Sequence, residues 1–578
     1  MENCAMTLFR FALFGCWASS KGKRFQTAEL DEDQCRFGRL ENDISPERRL
    51  AMQIASQNET ICFLGSSDAF GGGADWIEMV STHISIVLLI GSRALKLKRS
   101  VKLPYVDLST PERRLAMCEH ELMLNRRTAP DLYRAVHRIT REQNGDLELN
   151  GQGELVDAVL EMERFNDGFL FDRMAQRGRL TAADMAELAE AVARFHRTAP
   201  VSTDGDGAKR MERVLAVNER AFANADILSR SEVEPVISAC REALARHVGL
   251  LDQRAREGKV RRGHGDLHLR NICLVEGKPL LFDCLEFDED LATVDVLYDL
   301  AFVLMDLWHR KLEPLANILF NRYFDATGDE TGIRLLPFFM AVRAAVRAHV
   351  TAIDSGKTRA SRLSEAQAYL ELCLSLLKAR PPMLVAIGGY SGSGKSTLAA
   401  KVAPTLGPPP GARISGSDRI RKKLCGVAAE TRLSADAYSD EISARTYRAM
   451  MQLAEVTLAQ GQAAVADAVF DRRAARERIE EGARRAGVPF CGLWLQAPEQ
   501  ILVQRVAARH GDPSDATPDV VMAQIARHGA ATEWTRIPAR GEVDVVATAA
   551  LAAIGSHTTA QAIWPNPVCT RPEIHGVP

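Results

Sequence analysis

One short stretch constrains this chain more than any other. Residues 389–396 read Gly-Tyr-Ser-Gly-Ser-Gly-Lys-Ser and fit G-x-x-x-x-G-K-[ST]. An apolar run at 383–387 precedes them, and 397–401, Thr-Leu-Ala-Ala-Lys, can open a helix. The order is strand, loop, helix. In that context Gly389, Gly392 and Gly394 let the backbone around Ser391 and Ser393 turn its N–H groups towards phosphate oxygens. The helix start at Thr397 adds unsatisfied donors. Lys395 can reach β- and γ-phosphates, and Ser396 can hold Mg²⁺. A chance Gly/Ser loop is the alternative, and the strand before it weighs against that. The stretch points to a nucleoside triphosphate such as ATP. It begins after more than 380 residues, so something else must occupy the chain ahead of it.

At 578 residues a single hydrophobic core is not expected, and two to four domains are. Lys and Arg total 73 against 75 Asp and Glu, a net charge of −2, so nucleic acid is not the default partner. Twelve cysteines are scattered with no CxxC pair, the pattern of a cytoplasmic protein without a disulfide or zinc framework. Residues 8–17 are apolar around one arginine, too short to span a bilayer. Residues 13–16 faintly resemble a bacterial lipidation site but lack the basic region before it, so no membrane partner is expected.

Residues 1–75 are mixed and weakly periodic, with a Gly-rich stretch at 65–73, and read as an atypical or poorly ordered extension. From 77 the pattern sharpens. Residues 84–90 read as a buried strand, and 94–98, Ala-Leu-Lys-Leu-Lys, as an alternating one with Lys96 and Lys98 on one face. Pro111 opens a helix through Glu119 and Glu121 to about Arg127, and 156–163 read as another strand. The second motif is His-Gly-Asp-Leu-His-Leu-Arg-Asn at 264–271. A hairpin centred on 276–278 follows and leads into Asp283. A phosphotransferase needs this layout: a carboxylate, Asp266, for the acceptor proton, an amide, Asn271, and a second carboxylate, Asp283, for Mg²⁺. A turn rich in capping residues is the alternative. Helices dominate 294–377, where Asp299, Asp306 and His309 read as structural pairs or surface groups, and 380–382 mark a boundary with paired prolines. In the last part, Asp467 lies at a strand end, where an open parallel sheet places ligand groups. Arg505 and Arg509 form an i,i+4 pair. Residues 544–546 read as a last strand, and the proline-rich end as a tail.

With both motifs placed, residues 77–557 resemble bacterial proteins that join an aminoglycoside phosphotransferase-like domain to a P-loop ATPase or kinase domain. Carrying this are 82–85, 95–98, 111–114, 282–287, 300–302, 305–307, 467–470 and 514–517 as well as the two motifs. The resemblance implies an α+β bilobal protein-kinase-like domain at 76–379. An α/β P-loop domain with a mostly parallel sheet follows at 380–557, and a tail at 558–578. In the first, it makes Asp266 the catalytic base and Asn271 and Asp283 the Mg²⁺ ligands, with His264 shaping the loop. Lys96 becomes the ATP-phosphate lysine, paired with Glu121, with Glu119 as the fallback acid and Lys98 as the alternative lysine. One departure stands out: no G-x-G-x-x-G loop lies between 77 and 93. In the second domain, resembling small gluconate-kinase-like and polynucleotide-kinase-like enzymes, Asp418 faces the acceptor with Arg421 nearby. There Asp467 acts through Mg²⁺, and Arg505 and Arg509 are lid arginines that neutralise transferring charge.

These readings lead to an expected ATP- and Mg²⁺-dependent phosphotransferase with two sites, acting on a hydroxyl of a small molecule. A non-catalytic nucleotide sensor is one alternative. Phosphorylation of a nucleic-acid 5′-hydroxyl is another, suggested by Arg413, Arg419, Arg421, Lys422 and Lys423. The oligomeric state is open.

Overall fold

The structure is a computed structural model, and it describes residues 23–26, 57–66, 76–82, 84–103, 106–353, 357–508, 513–527 and 533–561. The chain forms two compact units. One comprises the chain to Gly328 together with Leu335–Lys378; the other comprises Asp329–Arg334 and the chain from Ala379.

The first unit begins with a seven-stranded antiparallel sheet. Its order is Lys23–Gln26, Trp76–Ser81, Ser85–Ile90, Arg93–Lys98, Glu154–Glu163, Tyr133–Arg141, Leu147–Leu149. The period of two in Arg93–Lys98 sorts its side chains cleanly. Leu95 and Leu97 pack with Ile86, Leu88 and Val159 on one face. Ala94 packs on the other with Cys118 of the helix Pro111–Asn125. Lys96 and Lys98 therefore point towards that helix and not to solvent. Part of the expected N-terminal extension belongs to this lobe. Lys23–Gln26 pairs with Trp76–Ser81, and the helix Asn58–Gly65 buries Ile61 and Leu64 in the sheet's outer core. Its short amphipathic pattern, isolated by polar sequence, carried too little periodicity to show this. The Gly-rich stretch at 67–73 lies outside the described residues.

Helices build the rest of the unit. Val296–His309 is buried along its length up to Trp308, so its Asp299 and Asp306 are core residues and not surface groups. The hairpin expected around 276–278 is present: Ile272–Val275 pairs with Lys278–Leu281, and Glu276 and Gly277 turn with φ of 50° and 76°. Glu330–Ala352 is long and apolar enough by composition to cross a bilayer, but 94% of its 18-residue apolar window is buried.

The second unit is an α/β layer around a five-stranded sheet, every pairing parallel. The order is Arg413–Gly416, Ala464–Asp467, Leu384–Gly388, Phe490–Gln496, Thr535–Pro538. Leu398 and Val402 fill one face with Val546 and Ala550, and Met450, Leu458 and Ile479 fill the other. Residues 544–546, expected as a strand, lie instead in the helix Val543–Gln561. Val546, Ala547, Ala550 and Ile554 are buried at helical spacing, which a three-residue window could not reveal.

Candidate functional site

In the first unit a buried charge cluster joins the sheet to the helix Pro111–Asn125. Thr110 caps that helix by accepting from Arg113 N, and Pro111 sits at its start. Arg114, Cys118, Glu121 and Asn125 then recur on its inner face, and Glu119 is exposed, so the fallback acid points away. Lys96 Nζ lies 2.6 Å from Glu121 Oε1 and 2.7 Å from Asp283 Oδ1. Lys98 Nζ lies 2.6 Å from Glu121 Oε2 and 2.6 Å from Glu286 Oε1. Burial would strip Lys98 of its proton, but Glu121 and Glu286 outweigh it and hold its pKa above the ordinary lysine range. Both lysines thus join the cluster, and Glu286 completes it. The signal for Glu286 was its spacing three residues after Asp283 in a half-apolar run.

Asp283 has φ of 62°, a left-handed backbone uncommon for a residue with a side chain. Two contacts hold it there. Asp283 N donates to Tyr133 Oη at 3.1 Å, and Cys284 N donates to Asn125 Oδ1 at 2.9 Å. Asn125 in turn donates to Glu121 O, so one residue ties both acids together.

The loop of residues 264–271 is braced from below. Asp299 accepts from His264 N at 2.7 Å and Gly265 N at 3.0 Å, and Asp306 accepts from Leu269 N at 3.1 Å. Burial lowers the pKa of His264, keeping it neutral, and its Nε2 donates to Phe282 O at 2.9 Å, linking the loop to the strand before Asp283. Asn271 Nδ2 donates to Asp266 O and Oδ2, both at 3.0 Å. Burial alone would raise the Asp266 pKa; His268 and Arg347 reverse this and hold the carboxyl at about 2. Asp266 Oδ1 and Asn271 Oδ1 are buried with no hydrogen-bond partner among the described residues. Asn271 O accepts from Phe282 N at 3.0 Å, one residue before Asp283, and such orphaned oxygens suit a hard cation and a hydroxyl. Among the described residues no three His, Cys, Asp or Glu form a ready cage. Mg²⁺ needs none, because it keeps waters and phosphate oxygens as ligands. The turn between Ser81 and Ser85 holds no glycine; Thr82 N donates to Ser85 O, and Arg99 Nη1 to Thr82 O.

In the second unit the parallel register sets Ile387 beside Asp467, so the loop after Leu384–Gly388 and the Asp467 carboxylate share one sheet edge. Gly389 and Gly392 have φ of 140° and 84°, and a Cβ at Gly392 would meet Leu502 O at 2.5 Å. Gly394 precedes the helix Lys395–Val402, whose first residues place Ser396 and Thr397 at the exposed end. Lys395 Nζ donates to Tyr390 O at 3.1 Å, folded back over the loop. Ser393 Oγ is buried without a partner among the described residues. Gln524, missed from sequence, accepts from Ser391 N at 2.9 Å and donates to Ser391 Oγ at 3.2 Å, so a side chain occupies a donor the loop can offer to phosphate.

Asp418 stands in the first turn of Ser417–Leu424. Arg421 is spent locally, donating to Ala437 O at 2.8 Å and lying 4.6 Å from the Tyr438 ring. Lys422 Nζ lies 2.7 Å from Asp515 Oδ2, which also accepts from Tyr438 Oη at 2.7 Å and Leu433 N at 3.0 Å. Arg505 donates to Ala539 O at 2.9 Å, and Arg509 lies outside the described residues. Arg413, Arg421 and Lys422 are buried, Arg413 with Glu330 at 3.2 Å, so the basic cluster noted in the sequence does not form an open groove.

Comparison with known proteins agrees with this division. Residues 146–336 match the "Phosphotransferase enzyme family" model and 384–531 the "AAA domain" model. The chain is 30% identical over 471 residues to the uncharacterized protein Rv2004c of Mycobacterium tuberculosis, covering 78% of this chain and 90% of that one. The same holds for Mb2027c of Mycobacterium bovis. Among solved structures it is similar to a choline/ethanolamine kinase family protein from Mesorhizobium loti, at 13% identity and TM-score 0.35. That match covers 56% of this chain and 99% of the other. It is also similar to a gluconokinase from Sinorhizobium meliloti 1021, at 19% identity and TM-score 0.24, covering 32% and 98%.

Proposed function

The chain belongs to the family of two-domain proteins that includes mycobacterial Rv2004c, with an APH-like kinase domain followed by a P-loop ATPase-like domain, and from that premise we propose that each unit transfers the γ-phosphoryl group of ATP to a hydroxyl of a small molecule in the cytoplasm. The observation that carries this reading is Lys96, bridging Glu121 and Asp283 beside the orphaned oxygens of Asp266 and Asn271.

In the first unit, Lys96 orients the α- and β-phosphates, and the Glu121 pair aims its ammonium. Asn271 and Asp283 are the residues to hold Mg²⁺, which supplies charge neutralisation on the phosphates. The acceptor oxygen bonds to the γ-phosphorus, the bond to the β-phosphate oxygen breaks, ADP leaves, and the hydroxyl proton passes to Asp266. A carboxylate with a pKa of about 2 is a weak base, so Asp266 acts mainly by orienting the hydroxyl. That suits a loose transition state in which proton transfer comes late. In the second unit, the backbone of residues 389–397 and Lys395 receive the phosphates, Ser396 and Asp467 hold Mg²⁺, and Asp418 orients the acceptor. Arg505, once it leaves Ala539 O, neutralises charge on the transferring group, and Arg509 is assigned the same role.

The test is incubation of the full chain with γ-labelled ATP and cell extract, alongside Asp266→Asn and Lys395→Ala. Each variant is expected to lose its own labelled product. Turnover and labelling unchanged in both variants would sink the reading. A non-catalytic sensor is favoured by one observation, Gln524 on the phosphate-binding loop, and predicts ATP binding with no labelled product from either unit.

A further inference from the structure

A cavity of about 480 Å³ opens in the helical part of the first unit, within the size range of small-molecule pockets. Arg270 lines it, and Arg270 stands between Asp266 and Asn271 on one short loop. Arg173, Arg310 and Lys357 line it as well, against only two carboxylates, Asp172 and Glu365. Both carboxylates are engaged: Asp172 with Arg310 and, at 3.6 Å, with Arg270; Glu365 with Lys357. Arg173 meets no carboxylate among the described residues and donates only to Gln176, at 3.3 Å. The lining therefore carries two positive charges in excess, and burial lowers the pKa of His309, so that ring adds none at neutral pH.

The wall is continuous with the reacting loop. Asp306 holds Arg310 Nε at 2.8 Å through one oxygen and Leu269 N through the other. Arg347, whose charge bears on Asp266, lies 5.8 Å from the ring of Tyr369, which itself lines the cavity with His309 stacked on it at 3.9 Å. Guanidinium groups in this number match the planar oxygens of phosphate or carboxylate and repel a cationic amine.

We infer that this cavity is the acceptor pocket of the first unit, and that its acceptor is a hydroxylated small molecule carrying an anionic group, phosphate or carboxylate. The inference rests on the phosphotransferase reading above. The test uses the full chain carrying Lys395→Ala and γ-labelled ATP. Cell extract is split beforehand on an anion exchanger, and a portion of the retained fraction is treated with phosphatase, which is then removed. Asp266-dependent label is expected from the retained fraction alone. Its loss after phosphatase assigns a phosphate, and its survival a carboxylate. Arg173→Gln and Lys357→Gln, both partly exposed positions, should raise the half-saturating acceptor concentration about tenfold or more and leave that for ATP and the thermal midpoint unchanged. Asp266-dependent label from the unretained fraction, or an unchanged acceptor requirement in both variants, overturns the pocket and leaves the kinase reading standing. No Asp266-dependent label from any fraction overturns both.

Discussion

Lys98 Nζ lies 2.6 Å from Glu121 Oε2, on the same carboxylate whose other oxygen holds Lys96 at 2.6 Å. One residue of strand, Leu97, separates the lysines, so both ammonium groups reach one side of the sheet. The Glu121 carboxylate is thus gripped from two sides.

Lys98→Met leaves Glu286 buried without its cation. Unfolding free energy should fall by about 3–5 kcal/mol, the usual effect of breaking a buried pair from one side. Lys98→Met with Glu286→Gln should recover part of that loss, because the orphaned charge is gone. Denaturant unfolding of the single and double variants decides it; a double variant less stable than the single would contradict the pairing.

Asp299 accepts from His264 N, Gly265 N and, at 3.2 Å, pairs with His196. Asp299→Ala removes the floor of the reacting loop, and kcat of the first unit should drop by about 10²-fold or more through misplacement of Asp266. The labelling assay with the anionic fraction measures it. A variant that folds and keeps wild-type kcat would show that the loop needs no brace.

Burial pushes the pKa of His349 down to about 3, and Arg347 adds to the effect. The unfolded value is about 6.5. The unfolded chain therefore binds the extra proton between these limits. The stability from keeping His349 neutral is complete above about pH 6.5 and is lost as the pH falls towards 3. Its ring meets Asn218 Oδ1 at 3.3 Å. His349→Gln can keep that contact without titrating, so stability plotted against pH should be shallower by up to about 1.4 kcal/mol per unit below pH 6. Equal slopes would mean His349 is already protonated or exposed there.

Gln524→Ala frees Ser391 N for phosphate. Nucleotide affinity of the second unit should rise severalfold, up to about tenfold, in keeping with the loss of one competing hydrogen bond. Weaker binding would make Gln524 a ligand of the nucleotide instead of its competitor. Calorimetric titration of ATP into protein that also carries Lys96→Ala, and so lacks the first unit's phosphate lysine, separates the outcomes.

Gly392→Ala places a methyl 2.5 Å from Leu502 O at a φ of 84°. It should abolish ATP binding by the second unit and leave Asp266-dependent labelling intact. Loss of both would reveal coupling between the units.

Much of this was legible locally. The loop at 389–396, the loop at 264–271, the alternating lysines and the hairpin before Asp283 each sit within a few residues, where turn chemistry and a period of two or 3.6 speak directly. The last helix and the buried Asp299 were not legible. A three-residue window, Asp-Val-Val, has no readable period, and an aspartate two turns from another in an apolar helix looks alike whether it meets water or a backbone N–H.

Residue types and spacing alone marked a P-loop motif behind a strand and a second loop with the layout a phosphotransferase needs; the two fold types around them came from the family resemblance those motifs carry. Only the tertiary structure decided that Glu121 and not Glu119 meets the lysines, because helix phase relative to the sheet depends on packing. The same holds for Glu286, Asn125 and Tyr133, which reach Lys98, Cys284 N and Asp283 N across long sequence separations. It holds too for Gln524, which crosses 133 residues to the loop of the second unit. Contacts between distant segments carry no periodic signal in a chain, and they exist only once both segments are buried together.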